Sequence, residues 1–359
     1  MFAVIMTGGS GTRFWPVSRR QRPKQFLNIT GKEPLVVETC NRLAPLARDE
    51  EMILVLGREH LDQARELFKG RPVHLLAEPA GRNTAPCMGL GALYAAHLGC
   101  TGPVAFLPAD HFIGDRRAFV QALQAAGELA SEGGIVTLGI VPNRPETGYG
   151  YIRRVAEDHR LVGDFKAYRV SRFVEKPDYD RACRYLSTGE YFWNAGIFVA
   201  TPGTLLGAVR THLPELYSGL MRLKEAFSRD RFDSELEGVY QEIEAVSFDY
   251  GVMEKTTEEV FVLPCHCAWS DVGSWRSLYE LRQKDCDAHG NLVEGETTLV
   301  GCRESFVSAK GGRLVACLGL KDCLIVDTPD ALLVADLDLS QDIRKIVEVL
   351  KKRRKKELL

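Results

Sequence analysis

Short apolar runs alternating with amphipathic, helix-length stretches fill the first third of the chain and confine it to few architectures. Residues 2–6, 52–56, 73–77 and 104–107 are strand-length runs rich in Val, Ile and Leu. Between them, residues 34–46, 60–68 and 84–98 place apolar side chains at helical spacing. Such alternation implies an α/β domain built on a Rossmann-like mixed, mostly parallel sheet, covered by helices on both faces. Ligands of such sheets sit beyond the carboxyl ends of the strands. The chain's two most polar motifs directly follow strand ends, at residues 8–26 and at Asp110.

Beyond residue 134 the pattern loosens. Residues 135–140, 149–155, 168–175 and 196–200 read as strands, and 178–187, 202–213 and 275–283 as helices. From about residue 291 short apolar pieces recur every eight to ten residues (298–300, 306–308, 314–317, 324–326 and 332–334), separated by turns rich in Gly, Asp and Lys. That spacing predicts an all-β unit or a small β-solenoid. A helix over 341–350 and a basic tail over 351–356 close the chain. The expected division is a nucleotide-handling domain over 1–285, a short β-helix-like domain over 286–340, and a C-terminal helix and tail over 341–359.

A formal net charge of -2 over 359 residues provides no general field for nucleic acid or a membrane surface. Affinity for phosphate must then come from a local site. No apolar run approaches the ~20 residues of a membrane helix, and the apolar start is too short for a signal peptide. Ten cysteines without a repeated pair spacing read as reduced thiols, which predicts a cytoplasmic protein. Cys265-His266-Cys267 lacks the spacing and the second pair of a zinc site. The cations of 351–356 suit a solvated helix end better than a nucleic-acid contact.

Met6-Thr7-Gly8-Gly9-Ser10-Gly11-Thr12-Arg13 follows the first strand at once. Gly8, Gly9 and Gly11 let the backbone turn tightly and bring N–H groups close to phosphate oxygens. The loop is no Walker A motif, because no Gly-Lys-Ser/Thr closes it, and Phe14 stands where a dinucleotide fingerprint needs its third glycine. Glycines alone leave a plain surface turn equally open. Arg13, Arg19, Arg20, Arg22 and Lys24 within a dozen residues tip the reading toward a polyphosphate. Asp110, in Leu107-Pro108-Ala109-Asp110-His111, ends the fourth strand where a carboxylate can hold Mg²⁺. Taken alone it reads as a turn or helix cap. Asp271, in Ser270-Asp271-Val272-Gly273-Ser274-Trp275, is a second, distant carboxylate; it too could cap the helix that follows.

These motifs together resemble the sugar-nucleotide pyrophosphorylases. Gly8-Gly9-Ser10-Gly11-Thr12-Arg13 with Pro23-Lys24-Gln25-Phe26 carries the resemblance. Phe14-Trp15-Pro16-Val17-Ser18-Arg19, the stretch from Glu78 to Pro86 (Glu-Pro-Ala-Gly-Arg-Asn-Thr-Ala-Pro), and Phe248-Asp249-Tyr250-Gly251-Val252-Met253-Glu254-Lys255 are similar to the mannose-1-phosphate guanylyltransferases among them. By motif the likeness runs from Met6 to Trp275.

The resemblance implies transfer of GMP from GTP to mannose 1-phosphate with a divalent cation such as Mg²⁺. It implies that Arg13 and Lys24, with Gly8, Gly9, Gly11 and Thr12, hold the triphosphate. Asp110 and Asp271 would hold the metal. Glu78, Arg82 and Asn83 would line the base pocket; without the resemblance that stretch is a polar loop capping a helix at Asn83 or Thr84. Gly148, Glu175 and Asn194 would contact the hexose, and Lys176 its phosphate. In the family a short left-handed β-helix often supports dimerisation, so a homodimer is admitted. Some relatives carry a C-terminal mannose-6-phosphate isomerase domain; no such activity is expected here.

Overall fold

A computed structural model describes residues 1–359 except 10, 228–230 and 257–258. Ser10 of the glycine loop therefore lies outside the described residues. The chain divides into two compact units. Unit 1 comprises residues 1–8, 36–109 and 113–269, and unit 2 comprises 9–35, 110–112 and 270–359. The glycine loop and Asp110 thus group with the C-terminal region, across the boundary that the sequence pattern places at residue 285.

Unit 1 is built on nine strands. In chain order they are β1 (Phe2–Thr7), β2 (Met52–Gly57), β3 (His74–Glu78), β4 (Val104–Pro108), β5 (Ile135–Ile140), β6 (Tyr151–Val162), β7 (Phe165–Val174), β8 (Tyr191–Ala200) and β9 (Val260–Pro264). Their order in the sheet is β3-β2-β1-β4-β8-β5-β9-β7-β6. Pairing is parallel through β3-β2-β1-β4 and between β5 and β9. It is antiparallel where β8 meets β4 and β5 and where β7 meets β6 and β9. The sheet is therefore mixed, with its parallel half at the N-terminal strands.

The helices, in chain order, are α1 (Leu35–Leu43), α2 (Leu61–Leu67), α3 (Thr84–His97), α4 (Arg116–Ser131), α5 (Tyr179–Thr188), α6 (Pro202–His212), α7 (Pro214–Ala226) and α8 (Phe232–Glu242). Helix α3 is apolar nearly all round because it is covered on two sides. Val4 and Met6 of β1 share a core with its Met88, Leu90 and Ala92, and Leu205, Leu220 and Val239 of α6 to α8 close that core from outside. Ile5, alternating with Val4 and Met6, points to the opposite face of the sheet. Starts are set by local chemistry: Asp115, Asp178 and Thr201 accept from backbone N–H groups of the first turns of α4, α5 and α6.

In unit 2, α9 (Trp275–Leu281) starts at a capping box of Ser274 and Ser277. Six strands follow: β10 (Leu292–Gly295), β11 (Thr297–Val300), β12 (Phe306–Ala309), β13 (Val315–Leu318), β14 (Cys323–Asp327) and β15 (Leu332–Asp336). β10, β12 and β14 stack in parallel, as do β11 and β13, the arrangement of a short β-helix; β15 closes the first stack antiparallel. Helix α10 (Ile343–Lys352) follows, and a short helical turn over Lys356–Leu358 comes after it. The core of this unit joins Phe14 and Trp15 to Trp275, Phe306, Leu324, Ile343 and Val347. Trp275 packs on Phe14 at 5.1 Å and edge-on to Phe306 at 5.4 Å.

Candidate functional site

The glycine loop is anchored by aromatic residues. Phe14 and Trp15 are buried at 1% and 7% exposure, so the residue that breaks the dinucleotide pattern is a core residue of unit 2. The Trp275 indole N–H donates to the Trp15 carbonyl at 3.3 Å, and the Trp15 indole N–H to the Leu358 carbonyl at 2.8 Å. With its flank fixed, the loop can adopt left-handed backbone at Gly9 (φ 97) and Gly11 (φ 56). A Cβ on Gly11 would stand 2.5 Å from Cβ of Lys24, so only glycine lets the two segments touch. The Ser18 hydroxyl donates to the Gly11 carbonyl at 2.6 Å, and the Gln25 amide to that of Gly9 at 3.3 Å.

Lys24 is 5% exposed. Its ammonium donates to a carboxylate oxygen of Asp110 at 2.8 Å and to the backbone carbonyl of Asp271 at 2.6 Å. Burial works against ionisation of Asp110, but Lys24 and then His111 outweigh it and hold the carboxyl below its ordinary range. One Asp271 oxygen accepts from the Gly273 N–H at 3.1 Å. Arg13 extends toward the Gly273 carbonyl, 3.5 Å away. Gly11, Thr12, Arg13, Lys24, Asp110 and Asp271 all line one cavity of about 360 Å³ within unit 2. Two buried or half-buried cations, two carboxylates and a glycine turn are groups able to hold a metal-bound polyphosphate.

Not every cation of the loop serves that cavity. Arg19 forms a two-pronged pair with Asp330 at 3.0 and 3.1 Å and lies over the Trp15 ring. Arg20 and Arg22 are exposed, and none of the three lines the cavity. Gly8 and Gly9 are exposed, with open space where a side chain would be. Among the described residues no three His, Cys, Asp or Glu side chains cluster as a complete metal site. Asp110 and Asp271 offer the hard oxygen donors that suit Mg²⁺, whose shell is ordinarily completed by water and substrate phosphate.

Unit 1 holds the remaining candidates in two groups. In the first, the Lys176 ammonium donates to Glu175 at 2.6 Å, and the Glu175 N–H to Glu254 at 2.9 Å. The Asn194 amide is fixed at both ends: it donates to Asp249 at 2.7 Å and accepts from the Gly196 N–H at 2.9 Å. Asp249 carries no role from sequence reasoning, although it stands in a motif shared with the family. Burial, then repulsion by Glu175, pushes its carboxyl up to about 6. Gly148 turns onto Glu146, whose carboxylate accepts its N–H at 3.0 Å. Gly150 is the glycine that lies against this group: a Cβ there would sit 2.7 Å from Glu175 and 3.2 Å from Asn194. The resemblance assigns the hexose contact to Gly148, two residues earlier, and not to Gly150.

The second group is the loop before α3. Asn83 (φ 69) caps the helix, its side chain accepting from the Thr84 N–H at 2.9 Å. The Arg82 guanidinium donates to the Tyr240 carbonyl at 2.8 Å. Glu78 is 6% exposed and accepts from the Tyr240 hydroxyl at 2.8 Å. Burial raises its carboxyl to about 7 despite that hydrogen bond. Its side chain is therefore committed to the protein interior, whereas Arg82 is half-buried and Asn83 exposed.

A mixed α/β sheet whose first strand runs into a glycine turn, and a cavity lined by a lysine, an arginine and two aspartates, fit a nucleotidyl-transferring enzyme. The chain belongs to the nucleotidyl transferase family, whose model matches residues 2–288; a mannose-phosphate isomerase/GMP-like β-helix domain matches 287–350. A mannose-1-phosphate guanylyltransferase of Escherichia coli is 39% identical over 364 residues, covering 99% of this chain and 75% of its own length. One from Klebsiella pneumoniae is 39% identical over 362 residues, covering 99% and 75%. A crystal structure from Thermus thermophilus, described as a mannose-1-phosphate geranyltransferase, superposes with a TM-score of 0.86 at 38% identity, covering 98% of this chain and 99% of that one.

Proposed function

We propose that the chain transfers GMP from GTP to α-D-mannose 1-phosphate, giving GDP-mannose and pyrophosphate. The observation that carries the chemistry is the unit 2 cavity, where Arg13 and Lys24 stand with Asp110 and Asp271. Guanine and mannose come from the names of the relatives that match nearly the whole chain.

The nucleophile is an oxygen of the sugar phosphate, already anionic at neutral pH, so no general base is required. The obstacle is charge: two polyanions must approach, and pyrophosphate must leave. Arg13, Lys24 and the N–H groups of the glycine turn hold the triphosphate. Glu175 and Asn194 orient the hexose, and Lys176 holds its phosphate. Arg82 and Asn83 face the base, with Glu78 holding that loop in place. A divalent cation on Asp110 and Asp271, with Mg²⁺ the first choice, supplies neutralisation of phosphate charge when bound. Rate then derives from alignment for in-line attack at the α-phosphorus and from preorganised charge.

Lys176 is exposed, and its one direct ion pair among the described residues is with Glu175, so its removal leaves the fold intact. Lys176→Ala is expected to raise KM for mannose 1-phosphate while KM for GTP stays near the wild-type value. Unchanged turnover and sugar-phosphate affinity in that variant would remove Lys176 from the site. Ten free cysteines support a reducing, cytoplasmic setting, and the β-helix supports a homodimer by analogy with the family. Among the described residues no helix is long and apolar enough to cross a membrane.

A further inference from the structure

The cavity of unit 2 has a lining residue that the reaction scheme above does not use. Arg344, the second residue of α10, reaches it beside Arg13, Lys24, Asp110 and Asp271. The fold directs it there. Ile343 and Val347, four residues apart on one face, are buried in the core that also holds Phe14 and Trp15, and this fixes the rotation of α10 about its axis. Arg344 follows Ile343 by one position and is exposed. Its neighbour Lys345 turns instead to Asp342, at 2.8 Å, and does not line the cavity.

Charge gives Arg344 its purpose. Arg13 and Lys24 are matched one for one by Asp110 and Asp271, and Lys24 is already engaged by Asp110. Apart from His111, which is positive only when protonated, the lining without Arg344 has no excess positive charge to set against a triphosphate. Arg344 supplies that excess and forms no ion pair among the described residues. A guanidinium presents paired N–H donors that match phosphate oxygens. We propose that Arg344 is a polyphosphate-binding residue, contacting the pyrophosphate moiety common to the incoming nucleotide and the leaving group. The C-terminal helix would then be part of the substrate site as well as a lid on the β-helix core. The proposal rests on the triphosphate reading of the cavity.

The test compares Arg344→Ala, Arg344→Lys and Lys345→Ala in the full chain. Calorimetry measures binding of inorganic pyrophosphate with Mg²⁺, and kinetics in both directions gives KM for each substrate. Arg344→Ala is expected to weaken pyrophosphate binding and raise KM for GTP by about tenfold or more, as loss of a charge-assisted hydrogen bond does. KM for mannose 1-phosphate should change by less than about twofold, because uniform damage is not expected. Lysine should restore part of the loss, and Lys345→Ala should resemble wild type. Equal effects of Arg344→Ala and Lys345→Ala, or unchanged pyrophosphate affinity in Arg344→Ala at an unchanged melting temperature, would overturn the assignment. Should wild type bind pyrophosphate yet fail to turn over GTP with mannose 1-phosphate, the substrate assignment falls while the calorimetric comparison still decides Arg344.

Discussion

Replacing Glu78 by Gln tests the buried acid beneath the loop before α3. Glu78 is 6% exposed and accepts a 2.8 Å hydrogen bond from Tyr240, and glutamine can keep that bond through its amide oxygen. Burial raises the Glu78 carboxyl from 4.5 to about 7. Because the folded value lies above the unfolded one, the folded chain holds this proton over the window that the unfolded chain has lost it. Stability of wild type therefore falls as pH rises from 4.5 to 7, and the full penalty is present above that window. A shift of this size is worth about 3 kcal/mol, of which about 2 kcal/mol develops between about pH 5 and about pH 7.5. Glutamine does not titrate. Urea unfolding of both proteins at both pH values should show the variant gaining about 2 kcal/mol on wild type at the higher pH. A stability difference independent of pH, or one that shrinks as pH rises, would refute the reasoning.

Two glycine substitutions probe the candidate half-sites separately. Gly11→Ala must place a Cβ 2.5 Å from that of Lys24 at a φ of 56; it should cost about 1–3 kcal/mol of stability and raise KM for GTP, read by melting and by initial rates. In Gly150→Ala the new methyl meets Glu175 at 2.7 Å and Asn194 at 3.2 Å. Displacing those side chains should raise KM for mannose 1-phosphate by about tenfold or more with little change for GTP. Equal increases for both substrates would contradict the division of roles.

The parallel half of the sheet was legible because β1, β2 and β4 are buried on both faces and read as unbroken apolar runs. The antiparallel half was less so. β6 runs to Val162 through Arg153, Arg154, Glu157 and Asp158, held by pairing with β7 rather than by an apolar stripe. Helix α4 was not among the expected helices, although Phe119, Ala122, Leu123, Ala126 and Ala130 recur at helical spacing on its buried face. The stacked strands after residue 291 showed through their spacing. Of the candidate site, the glycine turn, Lys24 and Asp110 can be proposed from strand-end position and charge. What could not be read was which cations reach the cavity, since Arg19 pairs with Asp330 from 311 residues away in sequence. Arg344 was equally hidden: it lies in an ordinary amphipathic helix, and only folding places it beside the glycine turn.

The most direct measurement follows product formation by the purified chain with Mg²⁺, pairing GTP, dTTP or UTP with mannose 1-phosphate or glucose 1-phosphate. The account predicts GDP-mannose and equimolar pyrophosphate from GTP with mannose 1-phosphate, at a kcat/KM above every other pairing. A higher kcat/KM for dTTP or UTP with glucose 1-phosphate, or nucleotide consumption without a sugar nucleotide, would contradict it.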